Sequence, residues 1–556
     1  MNTLPMADNR LYIYKLTPSK NMTDNYFESE QFQHLLRSYE DDKANGRPIF
    51  MEAEDFADLG DYYLYANRPE ECETALNHGL TLFPDDEALL SVLNSCYIFQ
   101  HRFDEAEKML ERLDQSTPDS LYQLAQLAFA KYDNIEKAED YWRQWMNLVH
   151  EDDPSDDAIR DCYVHIVASY IELAEPAESM FEENRGCPHA RRWIKQYMQK
   201  FQPLGDSDYD VQLVDLLTPF ALSDMVIEIM PQILEQRPYL PGGWSRLSRA
   251  YAQLNKFEDS NEAADFALAI DENDMDALLT KAHSLQMLGQ NKACIPYFEK
   301  YLDNGGDKSQ IVPLANACFM IHDNERGHAW AKAITAQLDK DHKLYTSRKT
   351  PQDVKDRIEE TYASFGGFID YYVRCLQDLT MLYSNLMLDS LTLRTAVKVL
   401  HYRREDADLY YVIGQSLIRL QRMRTASRAF ELAFRCADDP IWMCVRIAMC
   451  FVQVNCDEMG EHLLDLALTL SDKNDTTDEV MCKAYLLKAI IALKGHNKLD
   501  FKEAIRKMLQ YDTEEPQILL GYGFPKGMPV EQWEDYIDNN FESIFKKLSD
   551  LAQYID

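Results

Sequence analysis

Glycine and proline are scarce in this chain, 19 and 21 among 556 residues, and no stretch has the Gly/Ser or Pro richness of a linker. That composition argues against collagen-like or low-complexity segments and favours helices joined by short connections. No run approaches the ~18 consecutive apolar residues of a membrane-spanning helix. The opening residues, MNTLPMADNRLYIYKLTPSK, lack the apolar core and small-residue cleavage site of a secretory signal. The twelve cysteines include no CxxC pair, which removes zinc knuckles and thioredoxin-type redox motifs and makes a reducing cytoplasm the expected location.

Chemical motifs are missing as well. There is no GxxxxGKS/T phosphate loop, no HExxH, no GxSxG elbow and no EF-hand spacing. The stretch GYGFPKG at 521–527 reads as a turn, and His165, His283 and His328 are isolated within helical segments. No catalytic residue, cofactor or metal is expected. Positive charge is in deficit too: 57 Lys and Arg face 94 Asp and Glu, for a formal net charge of -37. Such a field repels phosphate backbones and anionic lipid and favours basic partners, so neither nucleic acid nor membrane is an expected ligand.

What is present is a large apolar complement, 46% hydrophobic and 11% aromatic, patterned as helices. In ADLYYVIGQSLIRLQRMRTASRAFELAFRCADDP, counted from Ala407 as position 1, Tyr410, Ile413, Gly414, Leu417, Ala426, Phe430 and Ala433 occupy positions 4, 7, 8, 11, 20, 24 and 27. From Ile441, the residues Ile447, Ala448, Phe451, Gly460, Leu464 and Ala467 fall on positions 7, 8, 11, 20, 24 and 27. One period earlier, Leu376, Leu379, Thr380, Tyr383, Ala396 and Val399 keep the phase, with Thr392 weakening position 20. Units from Ala53 and Glu87, and a block through Ser207, Pro241 and Met275, fit the same template. Cys72 and Cys294 stand at position 20, and Cys96 and Cys450 at position 10, where a buried thiol acts as a small hydrophobe.

This pattern resembles the tetratricopeptide repeat. The resemblance implies an all-α fold, a right-handed superhelical solenoid of antiparallel helix pairs in up to two segments. Small residues such as Gly414 and Ala426 would let the two helices of a pair cross closely. The organisation expected is an N-terminal arm and lead-in helix over 1–45, then a solenoid with degenerate middle units over 46–340. A linker or hinge at 341–366, a second solenoid segment at 367–515, and a turn with a capping helix at 516–556 follow. Register slips between Asp119 and Gln202, where RGCPHARRWIKQYMQKF forms a basic island best read as pairing with neighbouring acidic helices. The capping helix carries Trp533, Ile537, Phe541, Ile544, Leu548 and Leu551 on one face.

In the family, positions 2, 5, 9, 12 and 13 face a concave groove that takes a peptide or partner helix. Here that implies Ser245, Arg249 and Gln253, then His283 and Gln286, then Tyr411, Gln415 and Arg419 as contacts. The lysine and asparagine clamp that some cochaperone members use for chaperone tails is absent, since positions 5 and 9 hold Ala57 and Asp61, Ser91 and Ser95, and Ser245 and Arg249. The expected function is a non-enzymatic scaffold for a protein or peptide partner, a basic one by charge. The alternatives are a catalytic site in a poorly phased stretch and, against the charge, a helical-repeat RNA binder.

Overall fold

The computed structural model describes residues 24–174, 186–217, 222–471, 478–511, 528 and 532–552. Among them every regular element is helical, and they form two compact units, 1–328 and 329–556. In the first unit, α1 (Glu30–Ala44) leads into α2 (Ala53–Tyr65), α3 (Pro69–Leu82), α4 (Glu87–Phe99), α5 (Phe103–Leu110), α6 (Pro118–Ala130), α7 (Ile135–Asp152) and α8 (Asp156–Glu172). Then come α9 (Cys187–Lys200), α10 (Asp208–Leu217), α11 (Ser223–Gln236), α12 (Gly243–Gln253), α13 (Phe257–Ile270), α14 (Met275–Met287), α15 (Asn291–Asp303) and α16 (Ile311–Met320). The unit boundary falls inside α17 (Asn324–Thr346). The second unit continues with α18 (Gln352–Tyr362), α19 (Phe368–Asn385), α20 (Asp389–Leu400), α21 (Ala407–Arg419), α22 (Met423–Cys436), α23 (Pro440–Gln453), α24 (Asp457–Ser471), α25 (Asp478–Lys494), α26 (Lys498–Met508) and α27 (Trp533–Ala552).

Consecutive helices pair, and the first helix of a pair also packs on the first helix of the next, as in α2 on α4, α12 on α14, and α19 on α21 on α23. This is solenoid stacking. A recurrent turn closes the pairs. Asn67, His101, Asp133, Asn255, Gly289, His322, Met387, Gln421, Asn455 and His496 all hold a positive φ between the two helices of a pair. The following amide usually bonds back five residues, Arg68 N to Tyr63 O at 2.7 Å and Arg422 N to Leu417 O at 2.8 Å. That is the bonding of a Schellman helix end. Seven of these residues stand at position 15 of the phased units, Asp133 and His496 reveal further pairs at α6/α7 and α25/α26, and His322 puts the same turn before α17. At α6/α7 the bond from Asn134 N reaches back six residues to Ala128 O, so an extra residue in the turn produces the slip in register there.

Glycine and alanine occupy the crossings. A Cβ on Gly414 would sit 2.4 Å from the Phe430 ring, and one on Gly60 would sit 2.8 Å from Leu76 and 3.0 Å from Val92. Ala426, Ala433, Cys72 and Cys294 are wholly buried. In the middle of the first unit a polar knot replaces the repeat consensus. Arg160 of α8 is 3% exposed, donates to Asp210 of α10 at 2.6 Å, and lies 4.5 Å over the Phe201 ring. Asp210 also accepts from Gly205 N at 2.6 Å and from the Tyr197 hydroxyl. Arg191 and Arg192 of the basic island pair with Asp224 and Glu139 on neighbouring helices.

The stretch expected as a linker at 341–366 is mostly helix: α17 runs to Thr346, and α18 starts after its N-cap Pro351. The end of α17 is docked, because Lys398 of α20 donates to Asp339 at 2.5 Å and His342 stacks on Tyr372 at 4.5 Å. Ala331, Ile334 and Leu338 of the same helix are buried as well. The helix break at Gly366 and Gly367 is built on φ of +83° and +95°, a backbone region that side chains disfavour. At the C-terminus Trp533, Ile537, Phe541 and Ile544 are buried against α25 and α26, while the side chains of Leu548 and Leu551 and the 521–527 stretch lie outside the described residues.

Two substitutions check the two devices. Gly414→Val forces a branched side chain into the Phe430 ring and is expected to cost about 1–3 kcal/mol in urea unfolding. Gln421→Gly relieves a left-handed backbone and is expected to stabilise the chain by up to about 1 kcal/mol in the same assay.

Candidate functional site

The first helices of successive pairs in the first unit, α2, α4, α6 and α8, together line a concavity of about 1430 Å³. α7, at 18 residues, is longer than the 14 of α3, and its C-terminal half extends the wall with Trp145, Leu148 and Val149 and leads into the acidic run Glu151, Asp152 and Asp153. Glu54, Asp58, Asp61, Asp86, Asp119, Asp157 and Asp161 complete a set of ten carboxylates. Among the described residues the lining contains no lysine, arginine or histidine.

The floor is a seam of amides and hydroxyls. Gln123 donates to Ser91 O at 3.0 Å and to Ser95 Oγ at 2.9 Å, and its carbonyl accepts from Asn94 at 2.7 Å. The Tyr122 hydroxyl meets Ser169 Oγ at 3.0 Å, and Gln126 donates to the same oxygen at 3.2 Å. These bonds run between adjacent inner helices and fix their side chains in single arrangements. Asp86 caps α4 by accepting from Leu89 N at 3.1 Å, and Asp58 accepts from the Tyr26 hydroxyl at 2.5 Å.

Titration follows the environment. Burial pushes the Asp119 carboxyl above its ordinary range. Burial, followed by the Asp161 and Asp157 carboxylates, pushes the Tyr209 hydroxyl up to about 12. Buried His165, set against the rings of Tyr122 and Trp145, has Nδ1 2.9 Å from Asp161 O. There burial disfavours the cation, but the Asp161 carboxylate and its hydrogen bonds outweigh it and raise the imidazole.

The residues expected to contact a partner lie on inner helices, but most are tied to the next or the preceding element. Ser245 donates to Asp274, the cap of α14, and Arg249 pairs with Asp276 on the same helix. Gln253 accepts from Ser223 on α11. His283 Nε2 lies 2.8 Å from Gln310 Oε1 with its ring edge-on to Phe298, and burial lowers its pKa. Gln286 donates to Pro313 O at 2.9 Å. Tyr411 is buried, its hydroxyl 3.2 Å from Cys450 Sγ and its ring 4.2 Å below the Arg446 guanidinium. Arg419 donates to Asp389 at 2.8 Å, and Gln415 is half-buried. The concavity of α2 to α8 was not among the expected contacts. Its signal lay in positions 5 and 9 of the first block, Ala57, Asp61, Ser91 and Ser95, and in the acid run at 151–153.

Because the folded pKa of Asp119 is raised, its ionisation opposes folding above that pKa and the penalty fades as pH falls through it. Asp119→Asn is therefore expected to raise the urea midpoint at pH 7, with the gain shrinking toward pH 4. A midpoint gain independent of pH would point to a cause other than ionisation.

Residues 63–127 match the family profile described as tetratricopeptide repeat. No curated protein matches the sequence. Among solved structures the chain is similar to one titled "Crystal structure of APC/C hetero-tetramer Cut9-Hcn1", with 11% identity, TM-score 0.30, and coverage of 83% of this chain and 94% of that one. It is also similar to a point mutant of MamA, with 16% identity, TM-score 0.22, and coverage of 33% of this chain and 95% of that one. The matched span runs from the end of α2 to the middle of α6, through two of the turns and crossings described above. The chain carries tetratricopeptide repeats.

Proposed function

We propose that this protein is a non-enzymatic scaffold whose first unit holds a basic, extended polypeptide segment along the concavity of α2, α4, α6 and α8. Its repeats support a role in protein interaction generally, and among the described residues no helix is long and apolar enough to cross a membrane. The observation that carries the finer reading is the lining itself: among the described residues, ten carboxylates, no basic side chain, and an apolar strip of Trp145, Leu148, Val149 and Val92. Lysine or arginine heads would meet the carboxylates while their methylene stems cover the strip. The hydrogen-bonded floor supports the same reading, since a side-chain seam already fixed before binding lowers the ordering cost. Ser245, Arg249, Gln253, His283, Gln286, Tyr411, Gln415 and Arg419 are proposed as secondary contacts at most, because their polar atoms largely serve neighbouring helices.

Binding of a labelled peptide of alternating lysine and leucine to the full chain tests this. The expected result is saturable binding that weakens as salt rises and falls about tenfold or more in Glu151→Lys/Asp152→Lys, two exposed wall residues. Crosslinks of the bound peptide confined to α3 and α5, on the other side of the pairs, would overturn it.

A further inference from the structure

We propose a second interaction surface of opposite sign, the outward face of α20 and α22, which docks an acidic segment of a partner protein. In a chain with 57 cationic against 94 acidic side chains, arginine is ordinarily consumed by a neighbouring carboxylate. Arg246 pairs with Asp215, Arg326 with Glu299, Arg419 with Asp389 and Arg446 with Asp408. Arg394, Arg422, Arg424 and Arg428 depart from this: all four are exposed, and none of their guanidinium groups makes an ion pair or hydrogen bond among the described residues.

The topology puts them together. α20 and α22 both pack on α21. Arg419, at the end of α21, reaches Asp389 at the start of α20 at 2.7 Å, and α22 begins four residues after Arg419. The starts of α20 and α22 therefore adjoin. Arg394 and Arg428 are each five residues into their helices and one repeat period apart, so they occupy the same place on successive pairs. The local carboxylates are engaged elsewhere, Asp389 with Arg419 and Glu431 with Arg435 at 2.5 Å. Val397, three residues after Arg394, is 64% exposed, and Leu432, four after Arg428, is 39% exposed. Residues three or four apart share a helix face, so each arginine is followed by an uncovered aliphatic group.

A short acidic segment with interspersed aliphatic residues fits this face in charge and in apolar contact. A long polyanion fits less well, because beyond a Debye length of roughly 8–10 Å it meets the field of the remaining carboxylates. The uncovered groups beside the arginines are also aliphatic, where single-stranded nucleic acid binding uses aromatic stacking platforms.

The test is fluorescence anisotropy of the full chain with a labelled peptide built from Asp, Glu and Leu. The expected result is saturable binding, suppressed by salt and weakened about tenfold or more in Arg394→Glu/Arg424→Glu/Arg428→Glu. The corresponding Arg394→Gln/Arg424→Gln/Arg428→Gln variant is expected to lose part of the affinity while keeping the parent's circular-dichroism melting curve, and it decides the matter if the Glu variant does not fold. Glu151→Lys/Asp152→Lys is expected to leave this binding unchanged, which separates it from the acidic concavity. Equal binding by the parent and the Gln variant, no binding by the parent, or preferential binding of an oligonucleotide or of phosphatidylserine vesicles would overturn the proposal.

Discussion

The distance at which the two helices of a pair cross governs the rest of this molecule. Where Gly414 meets the ring of Phe430, or Gly60 the side chains of Leu76 and Val92, there is no room for a further carbon. A glycine in a helix interior costs about 1 kcal/mol against alanine. Close packing around large neighbours outweighs that cost, since an interior at crystal-like density loses dispersion contacts wherever a gap opens. Once the pairs are tight, the first helices of successive pairs stack, and it is their exposed side that forms the acidic concavity.

Packing was the part most legible in the sequence, because it repeats. Small, aromatic and aliphatic residues at fixed spacing identified Gly414, Ala426, Cys72 and Cys294 as buried, and they are. The closing turns were harder to read, since only Gly289 among them is a glycine. Asn, Asp and His tolerate a left-handed backbone and give a weak signal, while Met387 and Gln421 give none. The pair at α25/α26 shares the turn without the consensus, so it emerged only from backbone geometry.

Polar partnerships were less legible still. An inner-helix position can face a groove or bond to the next helix, and the choice depends on what stands one period away. Asp274 and Asp276 lie where Ser245 and Arg249 can reach them, which turns two expected contacts into stitches between α12 and α14. In α2 to α8 the carboxylates gather on the inner face instead. The knot of Arg160, Asp210 and Tyr197 involves residues up to 50 apart, a separation that no local pattern encodes.

The self-contained closure of each helical hairpin bears on how this chain gains and loses order. A bond spanning five or six residues ties the end of one helix to the start of the next, so the contacts that define a hairpin are close in sequence and carry little loop-closure entropy. Under tension such an array would yield in hairpin-sized steps, each releasing a similar length of polypeptide, and a lost hairpin could rewind on the template of its surviving neighbour.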